Sequence, residues 1–308
     1  MSSKPLVATA AFLCVSCAAW LSVSSARADD AASPDQVSPS DEAARHQIDR
    51  TWLYADDARV AAPMTVIAMS NLSYTNVGSS PSRIASPYPN VYNGFAENTA
   101  QPGGMIGLGG ELGLLPRLSV MAMGQLGIGG VDGVPNPSAG ALAGVRLRLS
   151  PSEWQNTHVT LSAGYLREAW SGPVFDDDSG KWLPGSPHGD NGAWIQGALS
   201  ADIHRLRLAT TVHAEHVFSP GRDPLDVMAE VGASLRVVDA FRLGVEYVGQ
   251  DLEESFSPGA EGGARHFVGP VASCQLFDQR MSIVAGPAIG LSSLSPTFVG
   301  RLALSYSF

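Results

Sequence analysis

The sequence predicts an all-β fold: a transmembrane antiparallel up-and-down β-barrel of about twelve strands, occupying residues 63–308. Three observations carry that expectation. From Pro63 to the last residue, apolar side chains recur with period two, which places alternate residues on opposite faces of a strand. Short connections alternate with longer ones along the same stretch, as in a barrel built of hairpins. Beyond Ala28 no run approaches the roughly 18 to 20 continuous apolar residues that a spanning helix needs.

The N-terminus reads as an export signal over residues 1–28. Lys4 supplies the positive charge, Leu6 to Val23 is apolar or small, and Ala26-Arg27-Ala28 forms the cleavage site directly before Asp29-Asp30. Ser16, Cys17 and Ser22 interrupt the run and argue against an anchoring helix, and Cys14-Val15-Ser16 is a poor lipobox for lipidation at Cys17. Cleavage removes Cys14 and Cys17 and leaves Cys274 alone, so the mature chain holds no internal disulfide. Its stability must come from a hydrogen-bonded framework. The chain has 33 Gly and only 7% aromatic residues, which suits glycine-rich alternating strands, and its net charge of -10 argues against a nucleic-acid partner.

Residues 29–62 form an N-terminal tail. Asp29 to Ser40 is Asp, Ala, Ser and Pro without periodicity and is expected to be unstructured. Asp41 to Val60 contains good helix formers, with Ser40 or Asp41 as cap and Ile48, Trp52 and Leu53 on one face. A short helix is expected there, either as a plug in the barrel mouth or, as the simpler placement, against its rim; Pro63 ends it.

Strands are expected near 64–76, 104–115, 118–129, 139–150, 157–168, 193–204, 206–218, 227–238, 240–250, 265–277, 280–291 and 297–308. About ten residues suffice to cross a bilayer when tilted. The plainest case sets Leu206, Leu208, Thr210, Val212 and Ala214 against Arg207, Ala209, Thr211, His213 and Glu215. The first face suits lipid and the second water. Val231, Ala233, Leu235 and Val237 against Glu230, Gly232, Ser234 and Arg236 repeat the split. The short joints fall at Pro116-Arg117, Pro151 to Asn156, His204-Arg205, Asp239-Ala240 and Asp278-Gln279; the longer ones span 77–103, 130–138, 169–192, 219–226 and 251–264. Ser292 to Pro296 is brief for a loop on the long side and marks the least certain hairpin.

The C-terminal strand adds a resemblance. Phe308 closes the chain, with Tyr306, Leu304, Leu302, Gly300 and Phe298 on its face and Ser307, Ser305, Ala303 and Arg301 on the other. This resembles the terminal signal of bacterial outer-membrane β-barrels, a porin-like superfamily. In that superfamily the terminal aromatic, the aromatic two residues before it and the apolar positions upstream engage the barrel-assembly machinery. Gly300 is the one departure. The resemblance implies an outer-membrane location, with the short turns, the N-terminal tail and both termini in the periplasm.

The inward faces offer Glu111, Arg146, Arg148, Asp202, Arg207, Glu215, Glu230, Arg236, Arg242, Glu246 and Arg301 as candidate lumen-lining residues. Charges of both signs either set a transverse field that orients small polar solutes, or pair and close the lumen. Arg148, Arg207, Arg236 and Arg242 lie near short turns, where a basic ring would attract anions. Asp176, Asp177 and Asp178 are dense in oxygen ligands but lack a full calcium-loop pattern, and solvated loop charge accounts for them more simply.

No catalytic constellation is found. His188-Gly189-Asp190-Asn191-Gly192 lacks the serine that the outer-membrane phospholipase arrangement needs, and His213 and His216 point to opposite faces. Gly107-Leu108-Gly109 continues into another strand instead of a dinucleotide-binding helix. The expected function is therefore passage of small polar solutes, without cofactor. The alternatives are a closed structural barrel whose outer loops meet lipopolysaccharide or a partner and, less favoured, a membrane hydrolase.

Overall fold

The computed structural model describes Thr51 and residues 55–76, 103–131, 134–135, 137–151, 154, 156–170, 174–176, 179–183, 188–218, 225–250, 252, 265–292, 295 and 297–308. The signal expected over 1–28, the tail expected over 29–40, most of the expected helix, residues 77–102, and Asp177 with Asp178 lie outside the described residues.

Twelve long strands close into one antiparallel barrel. They are β1 (Val66–Asn76), β2 (Gly103–Leu115), β3 (Leu118–Val131), β5 (Ser138–Arg148), β6 (Thr157–Trp170) and β9 (His188–Ile203), followed by β10 (Leu206–Val217), β11 (Asp226–Val238), β12 (Phe241–Gln250), β13 (Arg265–Leu276), β14 (Met281–Gly290) and β15 (Phe298–Ser307). The short pieces β4 (Val134–Pro135), β7 (Val174–Asp176) and β8 (Lys181–Leu183) belong to two of the longer connections. Closure is made by β1 against β15, in register from Ile67 opposite Ser307 to Asn76 opposite Phe298. The Phe308 N–H adds a bond to the Val66 carbonyl at 3.0 Å.

Strand limits follow the alternation to within a residue or two nearly everywhere. The exceptions are β9, which begins at His188, five residues ahead of the expected start, and β6, which continues to Trp170. These extensions pair with each other, Trp170 opposite His188 and Arg167 opposite Asn191, carrying the hairpin past the apolar zone. The uncertain hairpin of β14 and β15 is present. Its brief connection is held by Ser295, whose hydroxyl accepts from the His266 N–H at 2.9 Å and lies 2.7 Å from the Ser292 hydroxyl.

The outward face is apolar. Leu72, Leu108, Leu126, Ile128, Leu199, Val231, Leu235, Val245 and Ile289 are all exposed, and Ile128 reaches 75%. Scattered exposed leucines are ordinary, but exposed large apolar side chains recur on ten of the twelve long strands, all but β13 and β15, and make a larger apolar surface than a water-facing barrel carries. Tyr74, Tyr165 and Tyr247 lie toward the loop ends of their strands, and Trp154, Phe277 and Phe308 toward the short turns. On β15 the interval from Phe298 to Tyr306 gives about 27 Å along the strand, or about 20 Å across the membrane at the usual tilt.

Candidate functional site in the barrel lumen

An eight-stranded barrel is filled by its own inward side chains, whereas a twelve-stranded one is wide enough to leave space along its axis. Here that space is entered by the chain just ahead of β1. Residues 55–62 take no helical turn; they run irregularly inside the barrel, so the helix expected over Asp41 to Val60 does not extend over its described C-terminal part, and the rim placement does not hold there. The physical reason is that this backbone is bonded to wall side chains and not to itself.

Wall carboxylates and hydroxyls take up the segment's N–H groups. The Ala55 N–H donates to Glu246 Oε1 at 2.7 Å, Asp56 N–H to Thr211 Oγ1 at 2.8 Å, and Ala61 N–H to Glu111 Oε1 at 3.0 Å. Wall donors reach its carbonyls: the Ser200 hydroxyl donates to Asp57, and Arg146 Nη1 to Arg59 at 3.2 Å. A buried main chain without such partners would be costly, which is why a non-helical segment survives inside the barrel.

Its side chains continue the pattern. Asp56 Oδ2 accepts from Arg146 Nη2 and, at 3.0 Å, from Gln196 Nε2. Its other oxygen accepts the Ala58 N–H at 2.9 Å, a local turn that holds Ala58 at φ 53°. Asp57 lies 3.5 Å from Arg207 Nη1, and Arg59 Nη2 donates to Asp202 Oδ2 at 2.9 Å.

The wall charges pair among themselves as well. Arg146 Nη1 meets Glu111 Oε2 at 3.1 Å, and the Ser119 hydroxyl donates to Glu111 Oε1 at 2.5 Å. Arg207 grips Asp202 with two bonds, 2.7 and 3.0 Å, while Arg242 Nη2 lies 3.7 Å from the same carboxylate. Arg301 reaches Glu246 at 3.5 Å across the intervening strands. The basic ring expected near the short turns is therefore compensated: two of its four members, Arg207 and Arg242, converge on Asp202. Arg148 turns to Ser150 at 3.1 Å, and Arg236 is half-buried near its turn.

Glu215 lies higher on β10, with Oε2 3.2 Å from His213 Nε2, and Glu230 of β11 stands opposite Thr211 at the level of the segment; both are buried. His213 stacks on Trp194 at 5.9 Å, whereas His216 faces outward against Phe218. All eleven residues expected on the inward face lie on that face of their strands, and Glu111, Arg146, Asp202, Arg207, Arg242, Glu246 and Arg301 join the network around the segment. Asp176 ends β7, opposite Lys181 of β8.

Sequence reasoning missed Asp56, Asp57, Arg59, Gln196, Ser200 and Thr211 as members of the site. The only available signal was the Asp-Asp-Ala-Arg run itself, which invites a helical reading. The inward face also carries apolar residues beyond the charged set expected of the lumen. Inward Met121, Met123, Leu142, Leu166, Trp194 and Val217 form one apolar cluster, and Val248, Phe267, Val271, Val284 and Val299 belong to another that Ala55 joins. Strands β3 and β14 carry apolar residues on both faces, so alternation of polarity fails there while alternation of direction persists.

The path of the segment is built into β2. A Cβ at Gly113 would stand 1.9 Å from the Ala62 carbonyl oxygen and 2.5 Å from that of Ala61. Met64 N–H donates to the Gly113 carbonyl at 2.8 Å, and Gly113 N–H to Thr65 at 3.0 Å. Gly113→Val is expected to lift the segment off this wall, at a cost of about 1–3 kcal/mol for overpacking. Trypsin then cleaves after Arg59 in the refolded variant while sparing that bond in the parent; equal protection in both excludes the described path.

No family model matches the chain, and no curated protein matches it. Among solved structures it is similar to the beta domain of the Bordetella autotransporter Brka, with 11% identity, coverage of 79% of this chain and 99% of that one, and a TM-score of 0.51. It is also similar to an outer membrane channel from Pseudomonas putida F1, with 13% identity, coverage of 82% and 98%, and a TM-score of 0.50. At such identities the likeness concerns architecture: this chain has the closed, antiparallel fold of bacterial outer-membrane β-barrels, and no particular family among them is assigned.

Proposed function

We propose that this protein is a channel for small polar solutes in the bacterial outer membrane, held shut by its own N-terminal segment. The observation that carries the reading is the seating of residues 55–61 in the lumen, bonded to strands β2, β5, β9, β10 and β12 through polar contacts. Water or a polar solute replaces such contacts in kind, and the apolar surface the segment gives up on leaving is confined to the small side chains of Ala55, Ala58, Val60 and Ala61. The apolar outer belt with its aromatic flanks supports the membrane location. In this arrangement the short turns and both termini face the periplasm, the longer loops meet lipopolysaccharide, and the C-terminal strand carries the signal for the barrel-assembly machinery.

A closed structural barrel is the second reading, favoured by the apolar inward clusters and by the near-complete burial of Leu166, Phe267, Val284 and Val299. Single-channel recording separates the two. Asp56→Asn with Asp57→Asn in the full-length chain weakens the segment's ion pairs, and reproducible open steps are expected several-fold more often than in the parent. Silence of both proteins at all voltages overturns the channel and leaves the structural barrel.

A further inference from the structure

We infer that Asp56 and Asp57 stand where the carboxylates of a passing solute bind, so that the solutes this lumen selects are small carboxylates. The inference rests on the channel reading and gives it a substrate class.

Two donors from strands on either side of β6, Arg146 Nη2 on β5 and Gln196 Nε2 on β9, converge on one oxygen of Asp56. Both are buried with the segment in place, Gln196 1% and Arg146 8% exposed, and Arg146 is also held by Glu111 and Ser162 of the wall. A guanidinium beside an amide fits a carboxylate, whereas a sugar hydroxyl can accept from both donors but leaves the guanidinium charge unneutralised. Arg207 repeats the arrangement more loosely, with Nη1 shared between Asp57 at 3.5 Å and the Thr51 hydroxyl at 2.8 Å.

When the segment leaves, Arg146 loses Asp56 and Arg207 loses Asp57, so each of these two guanidiniums gives up a carboxylate partner. An entering carboxylate restores one at the position Asp56 vacates.

The test uses the full-length Asp56→Asn, Asp57→Asn protein in detergent micelles, with succinate as probe against sodium chloride of equal ionic strength and against glucose. Succinate is expected to raise the melting temperature of this variant by several degrees, to leave the parent unmoved, and to lose its effect when Arg146→Gln is added. In bilayers under a potassium chloride gradient, the reversal potential lies on the anion side, and succinate lowers the chloride current. A folded variant whose melting is blind to succinate, or an open channel that prefers potassium, overturns the inference. An open channel blind to succinate refutes the carboxylate site and spares the channel; a silent variant that succinate still stabilises does the reverse. If the double variant does not assemble, Asp56→Asn alone carries the same comparison.

Discussion

Arg146→Ala is expected to lower the equilibrium stability of the barrel in micelles by about 3–5 kcal/mol, the cost of breaking a buried ion pair by removing one partner. One guanidinium serves Asp56, Glu111, the Arg59 carbonyl and, more distantly, the Ser162 hydroxyl at 3.4 Å. Truncation leaves two carboxylates facing each other in the interior. The segment should therefore depart as stability falls, and the trypsin site after Arg59 should open. Adding Glu111→Gln removes one of the stranded charges and is expected to restore part of the loss, so the two substitutions will not be additive. A loss under about 1 kcal/mol would mean that these pairs behave as solvated surface pairs and that water fills the lumen around the segment.

Deletion of Phe308 is expected to deplete the protein from the outer membrane several-fold while periplasmic fragments accumulate. The ring lies outside the barrel, 73% exposed and edge-on to Tyr306 at 4.8 Å, and contributes nothing to the lumen. Its backbone N–H closes the last rung between β15 and β1. A single terminal bond is worth only about 0.5–1.5 kcal/mol, too little to unfold a barrel of this size. A large fall in membrane level with unchanged melting of the refolded truncated protein would assign Phe308 to delivery and insertion. An unchanged membrane level would count against that role.

The wall was legible because its signal is local and repeated. Leu206, Leu208 and Val212 against Arg207, Thr211 and His213 fix both strand and direction, and the next strands repeat the pattern. Where the backbone continues as strand with polar or glycine residues, as in Gly189-Asp190-Asn191-Gly192, no apolar contrast marks it, and the start of β9 was read late. The segment inside the barrel was illegible for a different reason. Its shape is set by partners far off in the chain: Ala55 by Glu246, Asp56 by Thr211, Arg59 by Asp202. No window of neighbouring residues contains those partners. The inward apolar clusters were missed because period two reports which side a residue faces and not what lies there.

The seam between β1 and β15 also has a bearing on time. Residues at opposite ends of the barrel sequence meet there, Ile67 with Ser307, and loop closure over such a separation is the slowest contact for a chain to make. The segment proposed to shut the lumen hangs directly from β1, so its cradle is complete only when that seam is drawn together. In that reading each newly made molecule is expected to pass through an unlatched stage, with sealing coincident with the completion of the wall.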